Sequence, residues 1–157
     1  MAEVALHPDL ERLSFLIGTW RGQGEGTWGD APRFTFGEQV TFEHVGDSFL
    51  LYEQRSWDLE DQAPVHLERG FLRPAASGRI ELVLAHPLGV AEVAEGLLGG
   101  ASLSVATTAV ALTATGSPVT DLRRTIHVDG DILTYELHMA TAEVPLLSHI
   151  RSRLVRT

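Results

Sequence analysis

The chain has 157 residues, a length that fits one domain spanning 1–157 and able to bury a core and a cavity. Hydrophobic residues make up 44% and charged residues 21%, ordinary for a globular protein, and a net charge of −9 without any basic cluster argues against a nucleic-acid surface. The chain has no cysteine, which excludes a disulfide framework and a thiolate ligand to iron.

The opening residues lack a basic segment followed by an apolar run, so no signal peptide is expected. No apolar stretch approaches membrane-spanning length. The expectation is a cytoplasmic protein without membrane association. Residues 8–17 predict a short helix: Pro8 suits its first turn, and Asp9 and Glu11 complement the positive end of its dipole. Leu10, Leu13, Phe15, Leu16 and Ile17 give it an apolar face, and a helix this short needs a surface to lie on. One mouth of a barrel would provide it.

Gly18-Thr19-Trp20-Arg21-Gly22-Gln23-Gly24 follows. With side chains alternating along a strand, Gly18, Trp20, Gly22 and Gly24 share one face. A face of hydrogens admits another backbone, a sharp bend or a flat ligand, and Trp20 plugs it where a first strand meets a last. Beyond it the chain predicts strands over 19–28, 33–45, 48–57, 65–73, 79–85, 89–97, 101–110, 119–128, 132–141 and 145–156. Turn signals such as Gly46-Asp47, Gly99-Gly100 and Asp129-Gly130 separate them. Even spacing of short strands predicts an all-β, up-and-down antiparallel barrel or a sandwich.

Histidine is the candidate metal ligand. On the last strand Leu146, Ile150 and Leu154 fall on one face, and Leu147, His149, Arg151 and Arg153 on the other. Alternation alone therefore leaves His149 open between a surface, a core and a ligand position. His127 and His138 share faces with polar residues and are expected in solvent; His7, His44 and His66 lie near turns or the terminus. His86 ends a strand and could face a barrel mouth. No pair has the spacing of a helical zinc motif. Gly22-x-Gly24-x-Gly26 has no following helix to receive a phosphate, and no nucleophile elbow occurs.

The motif Gly18-x-Trp20-x-Gly22-x-Gly24 after a short apolar helix, with Leu146-Leu147-Ser148-His149-Ile150-Arg151-Ser152-Arg153-Leu154 at the far end, resembles the nitrobindins. These are small proteins that bind b-type haem in a ten-stranded barrel. Gly-x-Trp alone is shared with lipocalins; two anchors at opposite ends of the chain are more specific. The resemblance implies one haem b per chain with His149 as axial iron ligand and catalytic residue. It further implies reversible nitric oxide binding, isomerisation of peroxynitrite to nitrate at the ferric haem, and a homodimer.

Two positions depart from that family. Where nitrobindins commonly carry Tyr-Pro-Thr near the haem, this chain has Trp28-Gly29-Asp30, and an unpaired Asp30 beside the cofactor would disfavour anionic ligands. Near Ser117 relatives often have a Lys that meets a haem carboxylate; Ser117 supplies no charge. Arg123 or Arg124 could substitute, although surface arginines are the simpler expectation. Two rival readings use the same barrel: a fatty-acid-binding or lipocalin-like carrier of an apolar molecule without haem, and a haem-based nitric oxide sensor.

Overall fold

A computed structural model describes residues 3–157. Ten strands form one closed barrel: β1 (Gly18–Gly26), β2 (Phe34–His44), β3 (Leu50–Trp57), β4 (Pro64–Pro74), β5 (Arg79–His86), β6 (Val90–Gly99), β7 (Ser102–Leu112), β8 (Val119–Asp129), β9 (Ile132–Thr141) and β10 (Leu147–Arg156). Each runs antiparallel to its sequence neighbours, and β10 returns to pair with β1, Trp20 opposite Arg156 and Gly24 opposite Ser152. Every strand has a neighbour on both sides, but β7 and β8 pair only over Ser102–Ala106 and Arg123–His127, so their ladder stops short of the open end. The architecture is the expected up-and-down barrel, with strand ends within a few residues of those read from the turn signals.

Because the strands alternate in direction, the connections alternate between the two ends of the barrel, and these ends differ. One is sealed by the segment Pro8–Leu16, which is a 3-10 helix. Its leucines explain the geometry: Leu10, Leu13 and Leu16 are spaced by three, and three residues per turn set them on one edge, where all are fully buried. Trp20 lies beneath. Its indole N–H donates to the Leu16 carbonyl at 2.8 Å, and the Arg156 guanidinium stacks on its ring at 4.1 Å. Arg156 also donates to the carbonyls of Phe15, at 3.0 Å, and Ile17. First strand, last strand and helix are thereby tied at one corner.

The β1 glycines serve close approach. A Cβ on Gly22 would overlap the Arg153 carbonyl of β10. Gly24 and Gly26 lie under the rings of Phe36 and Phe34, which a side chain would displace. The interior is layered accordingly. Leucines, Trp20, Phe42 and Tyr52 fill the sealed half, and a smaller apolar cluster of Val90, Val119 and Leu122 lies toward the other end.

Candidate functional site

Two of the irregularities in the ladder bring residues to the cavity at the open end. Between Ser148 and Ile150 the pairing of β10 with β9 slips, so that His149 is an extra residue opposite the His138–Leu137 pair. Between β3 and β4 a similar slip leaves Val65 unpaired, with Ser56 opposite His66 and Trp57 opposite Pro64. Bulges turn a side chain out of strict alternation and cluster at barrel rims. Here the consequence is specific: Ile150, Ser152 and Leu154 point inward, Arg151 and Arg153 outward, and His149 joins Ile150 on the cavity wall. The arginines that share its parity do not reach a cavity rim with it.

Residues after β1 hold that bulge. Thr27 N–H donates to the His149 carbonyl at 2.9 Å, and Thr27 Oγ1 donates to the Ser148 carbonyl at 3.1 Å. The Thr27 carbonyl lies 2.9 Å from His149 Nδ1. A carbonyl only accepts, so Nδ1 carries the proton and the neutral ring keeps its lone pair on Nε2. Trp28 and Phe34 meet the imidazole edge-on, with centroids 5.2 and 6.3 Å away.

The cavity beside His149 has a volume of about 240 Å³. Phe34, Phe36, Val65, Leu88, Val90, Val119, Leu122, Leu137, Met139 and Ile150 make it mostly apolar. Its mouth is apolar as well: Val65 is 54%, Leu88 52% and Phe34 39% exposed.

The inner wall is ionic. Arg124 is 4% exposed and donates to Glu68 Oε2 at 3.0 Å and to both oxygens of Glu92. Tyr52 O–H donates to Glu68 Oε1 at 2.6 Å. His86 lies between the two carboxylates, with Nε2 at 2.8 Å from Glu92 Oε2 and Nδ1 at 3.4 Å from Glu68 Oε2. Burial by itself would raise the Glu68 carboxyl, but Arg124, and after it His66 and His86, overcome burial and hold it far below the usual carboxylate range. Burial likewise pulls Arg124 down, and the two glutamates more than reverse it. A second polar group surrounds Glu38, whose Oε2 accepts from Gln54 at 2.7 Å and from Tyr135. Burial raises the Glu38 carboxyl despite those donors, and its Oε1 has no partner among the described residues.

The sequence-derived candidates divide. His149 lines the cavity, and Gly18, Trp20, Gly22 and Gly24 shape the closure and the bed of the Phe36 ring. Asp30 is exposed in the turn after β1 and lies off the cavity wall. Ser117 is half-buried before β8, its N–H donating to the Leu88 carbonyl at 3.0 Å, so it flanks the mouth. Arg123 is an exposed arginine paired with Asp121 at 3.3 Å, whereas Arg124, expected at the surface, is buried among carboxylates. His66, expected near a turn, and His86, expected at a barrel mouth, both line the cavity; His127 is exposed as expected. Glu38, Glu68 and Glu92 were not candidates from sequence, although each stands in phase with inward apolar neighbours, as Glu92 does between Val90 and Ala94.

A neutral imidazole with a free Nε2, facing an apolar cavity, fits an axial iron ligand. The model of the THAP4-like, heme-binding beta-barrel domain matches residues 9–156. A protein of Mycobacterium marinum named peroxynitrite isomerase 2 is 43% identical over 155 residues, 96% of each chain. One of Nocardia farcinica named peroxynitrite isomerase is 39% identical, covering 98% of this chain and 94% of its own. The crystal structure of Rv2717c from M. tuberculosis matches with a TM-score of 0.90 at 37% identity, over 98% of this chain and 99% of that one. Fold, motifs and full-length similarity agree: the chain belongs to the nitrobindin family of THAP4-like haem-binding β-barrel domains.

Proposed function

We propose that this chain holds one b-type haem through His149, binds nitric oxide reversibly and isomerises peroxynitrite to nitrate. The observation that carries the reading is the His149 bulge. Its Nδ1–H is committed to the Thr27 carbonyl, which orients the ring and leaves Nε2 for the iron. Haem held by His149 would supply the iron and, with it, the chemistry of the bond rearrangement. The protein's share is to orient the ligand imidazole, to exclude water with Phe34, Phe36, Val65, Leu88 and their neighbours, and to bound the space where a small ligand sits. Neither Asp30 nor Ser117 offers a cation to a haem carboxylate, and Arg124 is already shared between Glu68 and Glu92.

Haemin titration of wild type and His149→Ala tests this. A saturable Soret band at one haem per chain, lost or shifted in the variant, is the expected result; identical weak, unsaturable spectra would overturn it. Peroxynitrite decay with and without the loaded protein then separates an isomerase from a nitric oxide sensor, since only the former accelerates decay. The carrier reading is less well supported. A fatty-acid carboxylate needs a free cation, and the arginine on the cavity wall is engaged by two carboxylates.

The cytoplasmic location and the homodimer belong to the same reading; no helix among the described residues is long and apolar enough to cross a membrane. A dimer would use the outward row Leu51, Phe71, Val83, Val93 and Ala109, which are direct partners across β3 to β7. Val83→Asp, at the middle of that row, would then sediment as a monomer.

A further inference from the structure

The cavity wall opposite in character to the apolar mouth holds a compact set of metal-ligand atoms that His149 does not share. His66 and Glu68 stand two apart on β4 and therefore face the same side, and His86 ends the adjacent β5. His86 Nδ1 is 3.3 Å from His66 Nε2 and 3.4 Å from Glu68 Oε2, and His66 Nε2 is 3.6 Å from Glu68 Oε2. Ligands at about 2.0–2.1 Å from a tetrahedral ion are separated by roughly 3.3–3.4 Å, so this triangle has the size of one face of such a site.

We propose that His66 Nε2, Glu68 Oε2 and His86 Nδ1 bind a divalent first-row transition ion of the Zn²⁺ class, its fourth position open to the cavity. The surroundings are those a metal site requires. In the neutral ring His86 Nε2–H donates to Glu92 at 2.8 Å, and Nδ1 then presents its lone pair to the triangle. Glu68 receives hydrogen bonds from Tyr52 on one oxygen and Arg124 on the other, the outer partners that ligating carboxylates have. Two carboxylates, Glu68 and Glu92, face one guanidinium, and this surplus of negative charge in a buried place favours a cation. Two histidines and a carboxylate with an open position are the donor set of catalytic zinc and of non-haem iron.

The test titrates the untagged, haem-free full chain with Co²⁺, following its visible d–d absorption, and repeats the titration by calorimetry with Zn²⁺. One equivalent should bind saturably. Binding should be lost in His66→Ala, a half-buried position whose removal spares the Glu68–Arg124–Glu92 pairing. It should weaken about 10–100-fold in Glu92→Gln and persist unchanged in His149→Ala. No saturable binding, binding that survives His66→Ala, or binding that disappears in His149→Ala would overturn the proposal. Since His149→Ala removes the haem ligand alone, the two sites fail independently.

Discussion

Arg124 shows how charge is placed inside this barrel. It lies between Leu122 and Ile126, and those inward residues assign its side chain to the interior. Arg123 beside it points to solvent, and a two-arginine segment read without its phase suggests two surface residues. Its partners come from β4 and β6, dozens of positions away, so nothing local announces the pairing. Arg124→Met should cost about 3–5 kcal/mol in urea unfolding at neutral pH, because two buried carboxylates lose the guanidinium they share. Replacing Glu68 and Glu92 in the same chain by Gln should recover most of that loss. Glu38 has the opposite sign. Its carboxyl is raised in the folded state, so ionising it at neutral pH opposes folding, and that penalty vanishes below the unfolded pKa of about 4.3. Glu38→Gln should therefore raise Tm at pH 8 and leave it near wild type at pH 4. An equal shift at both pH values would contradict the assignment.

At the scale of elements, the strands and their turns were legible because half-buried strands alternate and Gly, Asp and Pro punctuate them. The bulges were not. Bulged and regular strands share one composition, and the slip at His149 exists only relative to β9. It decides which way the histidine points, so the orientation of the candidate ligand lay beyond any reading of β10 alone. The N-terminal segment is a milder case: a helix was legible, but the exact three-residue repeat of its leucines selects a 3-10 winding. Leu13 is fully buried under the barrel end, and Leu13→Ala should cost about 2–5 kcal/mol. Since it lies at the sealed end, the haem stoichiometry of the folded variant should not change. Gly26→Ala is the complementary change at the open end. Its Cβ would displace the Phe34 ring that packs near His149, so haem affinity should fall in titration.

For the whole molecule, the net charge of −9 bears on the proposed reaction. A negative protein repels an anionic substrate, and salt screens that repulsion. The rate constant for peroxynitrite decay measured where the anion dominates should therefore rise with ionic strength and stay below the diffusional ceiling of about 10⁸–10⁹ M⁻¹s⁻¹. Nitric oxide is uncharged, and its association should be indifferent to salt. Stopped-flow traces at two salt concentrations separate these outcomes.

The corner where Arg156 clasps Trp20 and the 3-10 helix has a consequence for how the domain can be labelled or tethered. The last strand runs out at that sealed end, with Thr157 bonded to Thr19 and the helix packed across the opening. A label attached after Thr157 would therefore start behind the cup, and the mouth beside His149 would stay unobstructed. An immobilised barrel held by its last strand would present the cavity to solution, so a surface-tethered sample would suit the haemin titration.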